Sequence, residues 1–363
     1  MSVFEKYQVS KVINASGKMT ILGGSRVERE VIEQCNQGYG NFFEVKDLLN
    51  QTGAYLAKLL KVESAYIVNS ASGGIAQAIG ASICKDNRQK IMNLYDQNNQ
   101  KREVVICKGH NVNYGTAIEV TMSLGGAKVV EAGYANECLL ESVESCINEN
   151  TVALLYVKSH HCVQKGMPDM KAFIELGHRY HLPVIVDAAA EGDLTKYYHD
   201  GADCVIYSGT KALCGPTSGL MVGRSEFMEL VKLQYLGIGR IMKVGKENIL
   251  GLTAAIERYV EKKQVTIEEQ KQRLEKFNQL LNELEGVSTR CLQDGAGRPI
   301  IRSEITFDKV DAKVVSEKLK HGDVHIYTRD YKANLGQIEI DIRDVDDEEL
   351  MVIYQRIKEI VEE

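Results

Sequence analysis

The sequence lacks the features of a membrane protein, a secreted protein or a nucleic-acid-binding protein. It has no apolar run close to the roughly 20 residues that a transmembrane helix needs. Its N-terminus has no apolar stretch after a basic start, so we expect no secretory signal. The net charge is −6, whereas surfaces that bind nucleic acid are usually basic. We therefore expect neither a membrane nor a nucleic acid as a partner.

Cysteine is present, but not in the patterns that make disulfide scaffolds or zinc sites. The nine cysteines are scattered, with no Cys-x-x-Cys pair and no Cys/His spacing typical of zinc. The chain has 363 residues, which is long enough for two domains with a large core. Scattered cysteines in such a chain are typical of reduced thiols, so we expect a cytoplasmic protein without a metal site.

The first 225 residues or so alternate between short apolar runs and helix-like runs. The apolar runs predict strands at Ala65–Asn69, Glu103–Cys107, Ala127–Glu131, Val152–Val157, Pro183–Val186, Asp203–Tyr207 and Gly219–Val222. This alternation predicts an α/β fold with a mostly parallel sheet that is covered by helices on both faces. The short loop between the last two runs favours antiparallel pairing of those two strands.

The rest of the chain predicts a helical connection and a small α+β domain. Residues 225–284 look helical. The predicted elements after them are strands near Ser288–Cys291, Ile300–Phe307, Val324–Thr328 and Gln337–Ile342, and helices Ala312–His321 and Asp346–Val361. We predict an N-terminal segment at 1–45 that packs with the small domain or at a subunit interface, a large domain at 46–250, connecting helices at 251–285 and a small C-terminal domain at 286–363.

Two side chains suited to cofactor chemistry lie at the ends of consecutive predicted strands. Asp187 ends one apolar strand, and Lys211 follows the next strand after Ser208-Gly209-Thr210. Because ligands of open α/β sheets bind at the carboxyl ends of strands, both groups should reach the same edge. A pyridoxal-phosphate (PLP) enzyme needs this pair. The carboxylate keeps the pyridine nitrogen protonated, and the lysine holds the cofactor as a Schiff base and then takes a proton from Cα.

Other residues suit the remaining parts of PLP. Ser72 and Gly73 lie in a Ser/Gly cluster that follows a strand and opens a helix. Backbone amides and the helix dipole favour a phosphate there, although such clusters also make ordinary helix caps. Ser208 is a second candidate for the phosphate. His110, which follows another strand, suits either a ring stacked on the pyridine or an ordinary buried histidine.

Longer runs of the sequence carry a family resemblance. They are Asn14–Thr20, Lys108–Asn113, Glu131–Asn136, Lys158–Lys165, Tyr207–Lys211, Gly215–Gly219 and Gly237–Lys246. In these runs the chain resembles fold type I PLP enzymes of the branch similar to bacterial selenocysteine synthase, and within it the family of D-glucosaminate-6-phosphate ammonia-lyases. The resemblance implies a seven-stranded large domain, a small C-terminal domain and a homodimer, or a higher homo-oligomer, with shared active sites.

The resemblance also implies roles for individual residues. The PLP-binding residues that it implies are Lys211, Asp187, His110, Ser72, Gly73 and Ser208. Lys211 is then the Schiff-base lysine, Asp187 faces the pyridine nitrogen and His110 covers the ring. An arginine of the small domain is implied for the substrate carboxylate, since its fork matches a carboxylate. Arg343 is the candidate by position, and Arg329 is the rival.

The reaction implied by the resemblance is α,β-elimination on D-glucosaminate 6-phosphate, which gives 2-keto-3-deoxygluconate 6-phosphate and ammonia. The substrate phosphate then needs cations, and the candidates are Lys18, Arg26, Lys46, Arg240 and Lys243. The basic group near Arg240 is also compatible with a solvated helix face. Two alternatives stay open: a PLP-dependent lyase or transferase for another amino acid, and a non-catalytic protein that keeps the fold as a binding module.

Overall fold

The structure is a computed structural model, and it describes residues 1–96, 98, 101–159, 161–263, 265–295 and 297–363. Its strands are β1 (Lys11–Ala15), β2 (Ser64–Val68), β3 (Glu103–Cys107), β4 (Lys128–Ala132), β5 (Thr151–Val157), β6 (Val184–Asp187), β7 (Cys204–Ser208), β8 (Gly219–Gly223), β9 (Val287–Gln293), β10 (Ile301–Phe307), β11 (Val324–Thr328) and β12 (Gln337–Asp341). Its α-helices are α1 (Val3–Tyr7), α2 (Arg29–Gly40), α3 (Val45–Leu60), α4 (Ala71–Cys84), α5 (Arg88–Met92), α6 (Ile118–Leu124), α7 (Leu140–Ser145), α8 (Met170–Arg179), α9 (Lys196–His199), α10 (Ser225–Leu233), α11 (Ile238–Ile241), α12 (Lys246–Glu261), α13 (Ile267–Asn282), α14 (Ala312–Leu319) and α15 (Asp347–Glu362). Short 3₁₀ helices lie at Thr20–Leu22, Lys108–His110, Gln234–Leu236, Ala333–Leu335 and Ile342–Asp344.

The chain forms two compact units. The larger unit is Val27–Glu261, and the smaller unit combines Met1–Arg26 with Lys262–Glu363. The division made from the sequence, with boundaries after residues 45, 250 and 285, stays a prediction. Within the described parts of both units, no helix has the length and apolar character that crossing a membrane requires.

A seven-stranded sheet, counted over the described residues, forms the centre of the larger unit. Its order is β2-β8-β7-β6-β5-β3-β4. Strands β3, β4, β5, β6 and β7 all run in the same direction. Strand β8 is antiparallel to both of its neighbours, β7 and β2. The predicted α/β class, the predicted strands and the antiparallel pairing of the last two strands are confirmed. Strands such as β3 and β6 are buried along their whole length, as expected for a sheet covered on both faces.

Helix α4 fixes the position of the turn between β2 and the helix. It contains no charged residue, and every residue from Gly73 to Cys84 is buried. A helix that is apolar on all sides is stable only when other elements enclose it. Here α4 packs against β7 and β8, and against α6 and α10. The start of α4 is therefore held by the core of the larger unit.

The smaller unit contains two sheets. Strands β9, β10 and β12 form an antiparallel sheet with β10 in the middle, and its core includes Leu274 of α13 and Ile353 and Ile357 of α15. Strand β1 pairs in parallel with β11, so that Lys11 lies opposite Val324. The predicted strands and helices of this region are confirmed. Strand β1 is not among the predicted strands.

Candidate active site

Asp187 is the last residue of β6 and lies in the interior of the larger unit. It is paired in the sheet with Val157 of β5 and Ile206 of β7, and only 8% of its surface is exposed. Its Oδ1 accepts a hydrogen bond of 3.0 Å from the backbone N–H of Ala189. The pKa of Asp187 is raised above its ordinary value, because burial outweighs two opposing influences. These are the positive charge of Lys211 and the hydrogen bond from the Ala189 amide, both of which lower the pKa. A further cationic partner would therefore stabilise this carboxylate.

Lys211 follows β7 in a tightly closed loop. The amide of Gly209 donates to the carbonyl of Ser218 at 2.8 Å, and the amide of Gly215 donates to the carbonyl of Gly209 at 2.7 Å. A Cβ on Gly209 would lie 2.2 Å from Ser218 Oγ, so the turn requires glycine at this position. The charge of Lys211 acts on Asp187. The structure thus brings the two predicted groups into electrostatic range of each other.

Ser208 joins the same edge of the sheet. Its backbone N–H donates to the carbonyl of Ala189 at 3.1 Å, and its hydroxyl lies 3.2 Å from Thr210 Oγ1. Because the amide of Ala189 binds Asp187 and its carbonyl binds Ser208, this one residue connects the ends of β6 and β7. Asp187, Ser208 and Lys211 therefore lie at one end of two adjacent strands, as the sequence predicts.

His110 lies in the 3₁₀ turn directly after β3 and has no exposed surface. Its ring meets the ring of Tyr156 edge-on, with centroids 4.5 Å apart and planes at 68°. Neither ring nitrogen has a well-formed hydrogen bond to the residues that the structure describes, and the nearby backbone of Val163 only weakly opposes the effect of burial on the His110 pKa. A buried polar atom without a partner is costly, and such atoms often mark a place where a ligand or water binds. His110 is therefore a candidate for contact with a ligand.

The burial of His110 predicts a pH dependence of stability. Burial, and secondarily the charge of Lys158, lower the pKa of His110 from 6.5 to about 4. Between these values the unfolded chain binds a proton that the folded chain does not, so the free energy of unfolding falls as the pH falls. We expect the contribution of His110 to lower the free energy of unfolding of the cofactor-free protein by about 2 kcal/mol when the pH falls from roughly 7.5 to 5. Denaturant unfolding at both pH values measures this loss.

The control for this measurement is His110→Phe, which has no titrating ring. Asp187 contributes in the opposite direction, because its raised pKa lets the folded state hold a proton as the pH falls. The difference between the two proteins cancels that contribution and those of the other titrating groups. An identical pH dependence in both proteins would contradict the prediction.

The turn between β2 and α4 is the predicted phosphate site. Ser70 caps the helix, since its Oγ accepts a hydrogen bond of 2.9 Å from the amide of Gly73. A Cβ on Gly73 would lie 1.9 Å from Asn69 Oδ1, so a larger residue at this position would have to displace the Asn69 side chain. The amide of Gly73 already donates to Ser70 within the turn. What Gly73 offers an anion is therefore the room left by its missing side chain. Ser72 presents a hydroxyl that lies 3.0 Å from the hydroxyl of Tyr114.

Three of the predicted phosphate-binding cations lie on the surface of the larger unit. Arg240 belongs to α11, Lys243 follows that helix and Lys46 belongs to α3, and all three are exposed to solvent. Their exposure makes them accessible to a ligand. Their role stays a prediction, as does that of every residue proposed for substrate binding.

Arg343, the predicted partner of a substrate carboxylate, is paired within the smaller unit. Its Nε and Nη2 donate to the two carboxylate oxygens of Asp341 at 2.9 and 2.8 Å. Asp341 has no exposed surface and also accepts a hydrogen bond of 2.9 Å from Arg302 Nε. Asp341 therefore fixes the plane of the Arg343 guanidinium, and a further anion has only the remaining edge of that group to bind.

The other predicted cations of the smaller unit also have acidic partners. The rival arginine, Arg329, contacts Glu339 at 3.3 Å, and burial lowers its pKa. Lys18 forms a buried ion pair with Asp344. The remaining pair joins Arg26 Nη2 to Glu349 Oε1 at 2.7 Å. Lys18 and Arg26 are thus engaged with carboxylates of their own unit, which the sequence did not predict.

Sequence reasoning missed two residues beside the predicted site. The backbone N–H of Lys158 donates to the carbonyl of Asp187 at 2.8 Å, and its charge acts on His110. Lys158 follows β5 directly, so the rule that selected Asp187 at a strand end could have selected it too. Tyr114, the second residue, lies in a loop after β3, and no pattern in the sequence links it to Ser72.

Comparison with known proteins identifies the relatives of this chain. The family profile described as SelA, L-seryl-tRNA selenium transferase, matches residues 12–327. The chain is 40% identical to the D-glucosaminate-6-phosphate ammonia lyase of Salmonella typhimurium, over 99% of this chain and 98% of the relative. It is 35% identical to a 5'-C-glycyluridine monooxygenase-decarboxylase of a Streptomyces species, over 99% of this chain and 92% of the relative.

A solved structure supports the same relationship. The structure of a D-glucosaminate-6-phosphate ammonia-lyase matches with a TM-score of 0.93 at 40% identity, and the match covers 100% of this chain and 98% of the other. The resemblance to the selenocysteine-synthase branch of fold type I enzymes is thereby confirmed. With a family profile matched over most of its length and relatives of this similarity, the chain belongs to the SelA family.

Proposed function

We propose that this chain is a PLP-dependent ammonia-lyase that performs α,β-elimination on a phosphorylated sugar amino acid. The proposed substrate is D-glucosaminate 6-phosphate, and the products are 2-keto-3-deoxygluconate 6-phosphate and ammonia. The observation that carries the proposal is the buried carboxylate of Asp187 within electrostatic range of Lys211, at the ends of β6 and β7. The full-length similarity to an enzyme of that name supports the substrate.

The residues at this edge of the sheet fit PLP. The desolvated Asp187 suits a cationic ring nitrogen, because such a partner offsets the solvation that burial removes. The buried ring of His110, whose nitrogens lack well-formed hydrogen bonds to the described residues, suits contact with a ligand ring. Lys211 would bind the aldehyde carbon of the cofactor, and the hydroxyls of Ser72 and Ser208 would hold its phosphate.

The roles of the protein groups follow from this arrangement. When bound, PLP withdraws electrons from the Cα of the substrate and makes the Cα–H bond acidic. Lys211 then accepts the Cα proton at Nζ as a general base. Asp187 would hold the ring nitrogen in its protonated form from a buried position at the end of β6. Elimination of the C3 hydroxyl as water, followed by hydrolysis of the C–N bond, gives the keto acid and ammonia.

The substrate carboxylate and phosphate need cations of their own. We propose that the outer edge of Arg343 binds the carboxylate, since Asp341 already orients the guanidinium; Arg329 is the rival. Arg240 and Lys243 are the proposed partners of the substrate phosphate, because they are exposed in the larger unit. Lys18 is a weaker candidate, since it is buried against Asp344.

Removing the phosphate from the substrate is expected to lower kcat/KM by about 100-fold or more, because binding of a remote group orients the reacting carbon. Parallel assays of ammonia and keto acid with D-glucosaminate 6-phosphate and with D-glucosaminate measure this effect. Equal turnover of the two compounds would contradict a role for the phosphate. No ammonia from either compound would contradict the proposed substrate.

The variant Arg240→Ala separates phosphate binding from the chemistry. We expect it to lower kcat/KM for the phosphorylated substrate and to leave the slow turnover of D-glucosaminate unchanged. A loss of the same size with both compounds would show that Arg240 does not act on the phosphate.

A second candidate function is PLP chemistry on another amino acid. The observation that favours it is the 35% identity, over nearly the whole chain, to a 5'-C-glycyluridine monooxygenase-decarboxylase. An assay that detects ammonia, carbon dioxide and keto acid separates the candidates. Decarboxylation without ammonia release would favour the second one.

We further propose a cytoplasmic homodimer, or a higher homo-oligomer, with shared active sites. In the smaller unit, α1 exposes Val3, Phe4 and Tyr7 and has no buried residue. In the larger unit, Phe42 is fully exposed. Exposed apolar groups of this kind are commonly covered in assemblies. Light scattering should give at least twice the chain mass of 40.5 kDa.

The nine cysteines, all of them described, are free thiols, which supports a reducing compartment.

A further inference from the structure

Tyr114 is held in place by a tight loop between β3 and α6. Asn113 and Ala117 form an antiparallel bridge across the loop, and the backbone N–H of Tyr114 donates to the carbonyl of Thr116 at 3.1 Å. Gly115 follows with a φ of +117°, a conformation that side chains other than glycine rarely adopt. The phenol is partly exposed, but its backbone is fixed by these bonds.

The hydroxyl of Tyr114 connects two other hydroxyls. It lies 3.0 Å from Ser72 Oγ and 2.7 Å from Thr121 Oγ1. Thr121 belongs to α6 and is buried, whereas Ser72 lies in the first turn of α4. The three hydroxyls thus form a chain that leads from the interior of the larger unit to the turn proposed to hold the phosphate of PLP.

We propose that Tyr114 is a positioning residue for the cofactor phosphate, acting through Ser72. The inference rests on the proposed function, in which Ser72 binds that phosphate. Each hydroxyl has one hydrogen to donate, and a fully ionised phosphate oxygen only accepts. When Ser72 gives its hydrogen to the phosphate, it can only accept from Tyr114. Tyr114 has then used its own hydrogen and accepts in turn from Thr121.

An anion at Ser72 therefore sets the direction of the whole hydroxyl chain. Each donated hydrogen bond makes the next hydroxyl a better donor, so Tyr114 strengthens the bond from Ser72 to the phosphate. Tyr114 also restricts the rotation of the Ser72 hydroxyl, because the two oxygens lie 3.0 Å apart. A hydroxyl chain that only stabilised the fold would not distinguish a ligand with a phosphate from one without it.

The test compares PLP with pyridoxal, which keeps the ring and the aldehyde but lacks the phosphate. The full-length protein is stripped of cofactor and titrated with each compound, and visible absorbance follows the covalent link to lysine. We expect Tyr114→Phe to weaken PLP binding by about 10-fold and to leave pyridoxal binding unchanged. Thr121→Val, which removes the hydroxyl behind Tyr114, is expected to weaken PLP binding by about threefold.

Tyr95→Phe is the matched control. It also removes an exposed phenol with a hydrogen bond, of 2.9 Å to Asn93 Oδ1, and it should bind both compounds like the wild type. Two results would overturn the role of Tyr114: unchanged PLP affinity in Tyr114→Phe, or equal weakening of PLP and pyridoxal, which indicates a structural role. A wild-type protein that binds neither compound would overturn the proposed function itself, and the inference with it.

Discussion

Replacing Lys211 with alanine is expected to lower kcat for ammonia release by about a thousandfold or more, because the variant loses both the amine that holds the cofactor and the base that removes the Cα proton. The measurement is a coupled assay for ammonia with D-glucosaminate 6-phosphate, together with the visible spectrum of the purified protein. We expect a spectrum without the lysine-linked band, even after addition of excess PLP.

Two controls distinguish the chemistry of Lys211 from a structural role. Lys171 is an exposed lysine on α8 of the same unit, and Lys171→Ala should behave like the wild type. Addition of methylamine to Lys211→Ala should restore part of the activity, since a small amine can replace the missing base. An active Lys211→Ala protein with a wild-type spectrum would refute the assignment of Lys211.

Replacing Asp187 with asparagine is expected to lower kcat by about 100- to 1,000-fold, because a neutral amide does not keep the ring nitrogen protonated. The substitution leaves the local structure intact, since the Oδ1 of asparagine can still accept the hydrogen bond from Ala189 that Asp187 accepts at 3.0 Å. The loss therefore reports the charge and not the fold. Steady-state kinetics at saturating PLP measure it.

The same substitution should not destabilise the cofactor-free protein. Burial raises the pKa of Asp187, which means that the folded state holds this charge at a cost, and asparagine removes that cost. We expect an unchanged or slightly higher melting temperature together with the loss of activity. A variant that unfolds easily, or one that keeps full activity, would contradict this account of Asp187.

The parts of the fold that the sequence predicts are those determined by local patterns. Strands such as β6 and β7 are short, mostly buried apolar runs; Asp187 is the last residue of β6, and Lys211 lies three residues after the end of β7. Because parallel strands end at one edge of a sheet, Asp187 and Lys211 could be brought together by reasoning alone.

The parts that the sequence does not predict depend on contacts between distant residues. Whether Arg343 presents a free fork depends on Asp341 and Arg302, and the sequence gives no indication that this carboxylate is buried between two guanidinium groups. The sequence around Lys18 suggests a solvated cation. In the structure Lys18 pairs with Asp344, which lies more than 300 positions later in the chain. Tyr114 touches Ser72 only because α4 and α6 are packed together.

The pairing of β1 with β11 has a consequence for folding during synthesis. Lys11 emerges from the ribosome long before its partner Val324, and at about 5 to 20 residues per second the wait is roughly 15 to 60 s. During that time the whole of Val27–Glu261 is synthesised and is able to fold, while the leading strand has no edge to join. The smaller unit is therefore completed only after Val27–Glu261 has been made, and the nascent chain must keep β1 from pairing elsewhere until Val324 has been synthesised.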